Sequence, residues 1–207
     1  MSEPTTSTVS EGRAVVTPAA DPAPLGLAAF ALTTFLLSAK NAGWMNSATG
    51  DAWLGYAFAY GGFIQLLAGM WEFRNRNVFG ATAFSTYGGF WIGLGLWALL
   101  VAPTATSAKA AGNDVAWILL AFAIFNTYMM LWATQVNVAV FAVFFTLELT
   151  EIVLFIGNFA NNSSIVKVGG YVGVLTALCA WYASSAGVIN GMRGSPLVPV
   201  GKPFSSR

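Results

Sequence analysis

The chain has no histidine, a single cysteine and few charged residues, which make up 8% of its 207 positions. Without histidine, haem, zinc and histidine-based acid–base chemistry lose their usual ligand or proton carrier. One thiol, Cys179, can form neither an internal disulfide nor a multi-cysteine metal site. A net charge of +1 offers no basic surface for nucleic acid. These absences predict a protein that is not an enzyme and has no metal, cofactor or nucleic-acid partner.

Apolar sequence dominates the chain. Hydrophobic residues make up 57% of it and the mean hydropathy is +0.67, whereas soluble domains carry about 25% charged residues. Six apolar runs of about twenty residues recur, and a helix of that length crosses the hydrocarbon core of a bilayer. They occupy residues 25–44, 52–73, 81–102, 115–134, 138–159 and 168–189. The sequence therefore predicts an all-α polytopic membrane protein with six transmembrane helices per protomer.

Polar segments flank this region. Residues 1–20 are rich in serine, threonine, proline and alanine, and we predict a disordered tail there. Residues 21–192 form the predicted transmembrane domain, and residues 193–207 form a polar C-terminal tail. The side of the membrane that holds the tails has more basic residues than the other side, which predicts that both termini are cytoplasmic in the plasma (inner) membrane. The tail side carries Arg13, Arg74, Arg76, Arg193, Lys202 and Arg207, and the other side carries Lys40, Lys109 and Lys167.

The two halves of the chain share short similarities. Residues 29–32 resemble residues 121–124, and glycines spaced four apart occur at 89 and 93 and again at 169 and 173. A duplication of three helices gives an inverted repeat, which is a common plan of transporters. Chance similarity among alanine, phenylalanine and glycine explains the pattern equally well. Each glycine pair allows close approach of another helix, within the protomer or between protomers.

Two glutamates lie in the middle of the fifth apolar run. Glu148 and Glu151 are three residues apart and so share one face of a helix. An ionisable residue at the bilayer centre costs about 2.5–3.5 kcal/mol on insertion scales, and it is a functional-site hypothesis by default. Other polar residues at similar depth are Thr33, Thr34, Gln65, Asn126 and Thr127. Together these residues predict a pathway for a small polar solute, although a threonine can also bond to its own helix.

Several segments resemble a known family. Residues 21–27 read DPAPLGL, residues 68–73 read AGMWEF, and residues 77–91 read NVFGATAFSTYGGFW. The last two are similar to the pattern AG..E....N.FG.TAF..YG.FW of the acetate uptake transporter family, the succinate–acetate permeases. The resemblance covers roughly residues 21–200. It implies six helices per protomer, a homo-hexamer, and a pathway in each protomer for acetate and other small mono- and dicarboxylates such as succinate.

The resemblance also implies an apolar constriction in that pathway. The matching positions are Phe30, Tyr87 and Leu147, with Ala180 as a further lining residue that limits substrate size. Transport through this pathway is expected to be channel-like or coupled to H⁺. The implied partners are a small carboxylate, the lipid bilayer and other copies of the chain.

The chain departs from the family at the two glutamates, where family members are mostly apolar or have threonine. A protonated Glu148 or Glu151 on the pathway would donate a hydrogen bond to a carboxylate or relay a proton. Alternatively, one of them faces the interface between protomers. Glu72, at the end of the second run, is expected to pair with Arg74 or Arg76.

Two other functional classes stay open. A hexameric urea or amide channel also conducts a small polar solute past apolar side chains, and a lack of carboxylate uptake would favour it. A non-transporting sensor or scaffold would need no continuous pore.

Overall fold

The structure is a computed structural model that describes residues 19–45 and 50–204. The predicted disordered tail lies outside these ranges except for its last two residues. The described residues form seven α-helices and no β-strand. The helices are α1 (Ala23–Asn41), α2 (Ala52–Phe58), α3 (Gln65–Arg74), α4 (Val78–Leu96), α5 (Ala108–Ala133), α6 (Val138–Phe159) and α7 (Ser163–Arg193).

Five helical segments in the described part of the chain are long and apolar enough to cross a membrane. They are Ala23–Asn41, Val78–Thr104, Ala108–Ala133, Val138–Phe159 and Ser163–Arg193. The second predicted run is not one of these five. It is helical from Ala52 to Arg74, but a π-helical segment, Ala59–Ile64, separates α2 from α3. The fold is thus an all-helical, multi-pass membrane protein, as the composition predicts.

Polar residues between the apolar runs start the helices. The side-chain oxygen of an N-cap residue accepts a hydrogen bond from a backbone N–H of the first turn, which otherwise has no partner. Four helices begin in this way, at Asn77, Ser107, Asn137 and Asn162. At the start of α1, Asp21 Oδ1 accepts from the Ala23 N–H at 2.9 Å.

The helices run between two ends of the bundle. We call the end where α1 begins and α7 ends the terminal end, and the other end the opposite end. α7 packs against α1 and α6, α6 also packs against α5, and α3 packs against α4. After α7 the chain turns back across the terminal end, where the Val200 carbonyl accepts from the Ala139 N–H at 2.9 Å and the Phe204 N–H donates to the Thr134 carbonyl at 2.9 Å.

The two glycine pairs have different surroundings. A Cβ at Gly169 would lie 2.5 Å from the side chain of Leu154, and one at Gly173 would lie 2.2 Å from Ser38 Oγ. This pair therefore allows close packing of α7 inside the protomer. A Cβ at Gly89 or Gly93 would meet no described atom within 4 Å, so that pair lies on the outer face of α4.

Candidate functional site

A small cavity lies inside the bundle between α1, α4, α5 and α6, and we call it the central cavity. About 40 Å³ of it is open to the centres of water molecules. Because roughly 10–15 Å³ of such volume holds one water, it has room for a few waters or one small solute. Its lining residues are Phe30, Thr34, Leu37, Ser38, Asn41, Tyr87, Phe90, Trp91, Leu119, Leu147, Thr150, Glu151 and Leu154.

The three residues expected to form the constriction all line this cavity. Phe30, Tyr87 and Leu147 are 5%, 3% and 6% exposed. The rings of Phe30 and Tyr87 meet edge to face with their centroids 5.7 Å apart. Tyr87 also contacts the rings of Phe122 and Phe125 at 5.8 and 5.5 Å. Such pairs prefer defined geometries, and so the position of Tyr87 in the wall is well determined.

A buried hydrogen-bond network holds the polar end of Tyr87. The Tyr87 hydroxyl lies 3.0 Å from Asn126 Oδ1 and 3.3 Å from Glu151 Oε1. Asn126 Nδ2 donates to the Phe144 carbonyl at 2.9 Å and to Glu148 Oε2 at 2.7 Å. The Phe144 carbonyl can only accept, and it therefore fixes which way the Asn126 amide points. The network connects α4, α5 and α6.

Three buried polar atoms on residues of the cavity wall have no hydrogen-bond partner among the described residues. They are Thr34 Oγ1, Trp91 Nε1 and Glu151 Oε2. Buried polar groups in native proteins are nearly always paired, and each unpaired one calls for an explanation such as a bound solute. The indole N–H can only donate, and a threonine hydroxyl can donate or accept. The wall is therefore suited to a small solute that carries hydrogen-bond acceptors.

Larger spaces lie on either side of the central cavity. The space at the opposite end offers about 180 Å³ to the centres of water molecules, and it shares Leu37, Asn41, Leu119 and Leu154 with the central cavity. The space at the terminal end offers about 340 Å³, and its polar wall residues are Asp21, Asn77, Asn137 and Asn190. We call them the opposite and terminal vestibules. The three spaces follow one another along α1.

An ion pair borders the opposite vestibule. Lys40 Nζ bonds to Asp51 Oδ1 and lies 5.7 Å from the centroid of the Trp53 ring. The hydrogen bond from Lys40 lowers the pKa of Asp51 below its usual value, against a smaller opposing effect of burial. Lys40 and Trp53 both line the vestibule, so that its mouth carries an exposed ion pair whose two charges balance each other.

The remaining predicted site residues divide between the cavity wall and its surroundings. Thr34 and Glu151 belong to the wall. The Thr33 hydroxyl instead bonds to the carbonyls of Ala29 and Tyr56, at 3.1 and 3.4 Å, and so joins α1 to α2. Asn126 is fully buried behind Tyr87.

Three further predicted residues do not line the central cavity. Gln65 and Ala180 are almost completely buried elsewhere in the bundle. Glu148 is half-buried on the outer side of α5 and α6. Its Oε1 lies 2.8 Å from the hydroxyl of Thr127, which also lies 2.8 Å from the Ala123 carbonyl.

The expected pairing of Glu72 with Arg74 or Arg76 is wrong. Glu72 is 1% exposed and its Oε1 has no hydrogen-bond partner in the described part of the chain. A Cβ at Gly80 would lie 2.6 Å from that oxygen. Glu72 therefore turns into the junction of α3 and α4, and the arginines that follow it face outward at the end of α3.

Several wall residues escaped the sequence reasoning, among them Ser38, Asn41, Trp91 and Thr150. The sequence did indicate them, because they lie on the same helix faces as the predicted residues. On α1, positions 30, 34, 37, 38 and 41 fall on one face, and on α6, positions 147, 150, 151 and 154 do the same. Extending each face from its predicted constriction residue would have found them.

The bundle, its membrane-spanning helices and its internal cavity define a multi-pass membrane protein of the channel or transporter class. A sequence model of the GPR1/FUN34/yaaH family matches residues 6–201. The chain belongs to this family, which confirms the resemblance to the acetate uptake transporters, and it is accordingly not an enzyme.

Similar proteins and a solved structure support this family assignment. The chain is 39% identical over 198 residues to Acetate permease A of Emericella nidulans, covering 87% of this chain and 65% of the relative. It is 34% identical over 184 residues to the succinate-acetate/proton symporter SatP of Escherichia coli, covering 88% of this chain and 96% of the relative. The chain spans only 61% of two Saccharomyces cerevisiae relatives. The solved structure of the bacterial acetate channel SatP matches with a TM-score of 0.82 and 33% identity, covering 88% of this chain and 99% of that one.

Proposed function

We propose that this protein transports acetate and other small mono- and dicarboxylates, succinate among them, across the plasma (inner) membrane. The observation that carries the proposal is the central cavity, where Phe30, Tyr87 and Leu147 surround a space suited to one small solute. The relatives named for acetate and succinate support this substrate class, and the symporter among them supports coupling to H⁺.

The pathway in this proposal runs from the opposite vestibule through the central cavity to the terminal vestibule. Lys40 offers a positively charged group to a carboxylate at the opposite mouth, where the substrate competes for it with Asp51. Phe30, Tyr87 and Leu147 form the constriction, which selects by width and by the cost of wetting an apolar passage. Ala180, which is buried in α7, stays a candidate for limiting substrate size.

The proposed topology has six spans with both termini in the cytoplasm. Ala52–Arg74 is helical without a break in the chain, and at 1.5 Å per residue it is about 34 Å long, enough for a core of about 30 Å. The excess of lysine and arginine on the tail side supports the orientation. In this arrangement residues 21–192 are the transmembrane domain, residues 193–207 the cytoplasmic C-terminal tail, and the two halves an inverted repeat.

The proposed assembly is a homo-hexamer. Two observations support contacts between copies. Gly89 and Gly93 leave an open strip on the outer face of α4, and small residues of this kind allow helices to approach closely in membranes. Glu148 lies half-buried on the outer side of α5 and α6, where a neighbouring protomer would shield it from lipid.

Uptake of radiolabelled acetate into proteoliposomes tests the function. Measurements belong at pH 7.5, where acetate is almost entirely anionic, with protein-free liposomes as the control for leakage of acetic acid. We expect saturable acetate uptake that unlabelled succinate inhibits and urea does not. Urea uptake without acetate uptake would instead support the urea or amide channel, and uptake of neither solute would support a sensor or scaffold.

A further inference from the structure

The charges of the central cavity do not suit a simple anion pathway. Among its lining residues Glu151 is the one ionisable carboxyl group, and no lysine or arginine accompanies it. An ionised Glu151, 2% exposed, would repel a carboxylate at close range in a region where water screens little. A wall that accepts a carboxylate therefore needs Glu151 in its uncharged form.

The hydrogen-bond network identifies which oxygen of an uncharged Glu151 carries the proton. Both N–H groups of Asn126 go to acceptors, the Phe144 carbonyl and Glu148, and so Asn126 Oδ1 must accept. The single hydroxyl proton of Tyr87 goes to that oxygen, at 3.0 Å. The same hydroxyl also reaches Glu151 Oε1, at 3.3 Å, as a second and longer contact. Because Oε1 accepts there, the proton of the acid form lies on Oε2, the oxygen that has no partner among the described residues.

The other polar atoms of the wall complete a site. Besides Glu151 Oε2, the cavity wall contains the unpaired atoms Trp91 Nε1 and Thr34 Oγ1, each on a residue that is at most 5% exposed. Three buried, unpaired groups around one small cavity are matched by a solute that has two acceptor oxygens. A carboxylate has them.

We propose that Glu151 in its acid form, together with Trp91 and Thr34, binds the carboxyl group of a monocarboxylate in the central cavity. This inference rests on the proposed carboxylate transport and adds a site to it. Glu151 brings one proton, the substrate brings one negative charge, and the proton lies between the two carboxyl groups. The complex carries a single negative charge, and no proton leaves it while the substrate is bound.

Other titratable groups near Glu151 are few. Tyr87 faces it from α4, and Glu148 lies on its own helix, connected through Asn126. α1 and α5 present no ionisable side chain to the cavity. The nearest charges along the pathway are Lys40 and Asp51 at the opposite vestibule, and they pair with each other. The pH dependence of substrate binding should thus follow Glu151.

Acetate uptake at several pH values tests the site. In the wild type, the apparent KM for the acetate anion should rise up to about tenfold per pH unit once Glu151 loses its proton, since binding requires one proton. Glu151→Gln keeps a donor that does not titrate, and its KM for the anion should be independent of pH. Glu148→Gln, a matched change outside the cavity, should keep a KM that depends on pH, although the pH at which the rise begins is displaced because a neighbouring carboxylate is removed. Trp91→Phe should raise the KM at all pH values, whereas Trp117→Phe on the outer surface should not.

Infrared difference spectra give a readout that needs no transport. Adding acetate to the purified protein should shift the carbonyl stretching band of a protonated carboxylic acid. That band component should be lost in Glu151→Gln and kept in Glu148→Gln. If Glu151→Gln does not fold, Glu151→Met, which has a side chain of similar length, should also lose the component.

Different failures lead to different conclusions. A wild type without acetate uptake refutes the proposed transport, while the infrared band still decides whether Glu151 holds a proton. If Glu151→Gln keeps the pH dependence of the wild type, the substrate carries its own proton and the inference is overturned. If no acid band depends on Glu151 at neutral pH, the residue is ionised and the site does not exist in this form.

Discussion

Leu147→Ala tests the constriction. The Leu147 side chain is 6% exposed and lines the central cavity together with Phe30 and Tyr87. The substitution removes three carbon atoms, each worth about 0.8 kcal/mol of burial, which gives about 2.4 kcal/mol. Leucine-to-alanine changes in cores cost about 2–5 kcal/mol. We expect the lower part of that range, because the new space joins an existing cavity that can admit water.

Leu147→Ala should also change which substrates pass. A pocket distinguishes solutes that differ by one methylene by about 10–200-fold. Widening the passage should therefore raise the uptake of lactate relative to acetate by about tenfold or more. Uptake of each labelled acid into proteoliposomes, measured at equal protein density, gives this ratio directly.

The matched control for this change is Leu149→Ala. Leu149 lies two residues further along α6 and is 41% exposed, so its truncation leaves the cavity unchanged. It should keep the wild-type ratio of lactate to acetate. A folded Leu147→Ala protein with an unchanged ratio and an unchanged acetate rate would show that Leu147 does not limit the pathway.

Three further outcomes are expected. Cysteines introduced at the two termini of an otherwise cysteine-free chain should resist an impermeant thiol reagent outside sealed cells, and labelling of either would refute the cytoplasmic orientation. Asp51→Asn should lower the free energy of unfolding by less than about 1 kcal/mol, since its pair with Lys40 is exposed. Because Lys40 lowers the pKa of Asp51, that difference should be present at neutral pH, begin to fall below about pH 4 as the unfolded chain gains its proton, and vanish once the pH lies below the lowered pKa of the folded protein; a difference that does not decrease with acidification would refute it. Tyr87→Phe should cost about 1–3 kcal/mol in detergent unfolding, since Asn126 Oδ1 loses its donor, whereas Tyr128→Phe on the surface should cost little; equal losses would argue against the network.

The all-helical, multi-pass fold was predictable because a bilayer imposes a strong condition on sequence, whereas the helix ends differ from the predicted runs by up to seven residues, as at Ala108 of α5. Apolar runs of about twenty residues separated by polar caps such as Asn137 and Ser107 leave few alternatives. The second run shows the limit. The positions of Gln65 and Glu72 and the π-helical segment between α2 and α3 are determined by close packing with neighbouring helices. At Gly61, for example, an added Cβ would lie 2.6 Å from Thr33 Oγ1. Hydropathy carries no information on such contacts.

The cavity wall was only partly predictable. Phe30, Tyr87 and Leu147 came from family resemblance, since an aromatic or leucine in a membrane helix packs in the same way whether or not a pathway is near. The unpaired state of Trp91 Nε1 depends on which helices meet around it. The hydrophobic pattern of a single helix does not show which other helices will surround it.

The two glutamates show why spacing alone left their roles open. At about 100° per residue, side chains three positions apart point in directions about 60° apart. α6 lies between the cavity and the outer surface, and 60° is enough to separate them there. Glu151 consequently belongs to the wall of the central cavity, while Glu148 bonds to Asn126 and Thr127 on the outer side of α5 and α6. The pathway role and the interface role are therefore compatible, one for each glutamate, and Asn126 links the two.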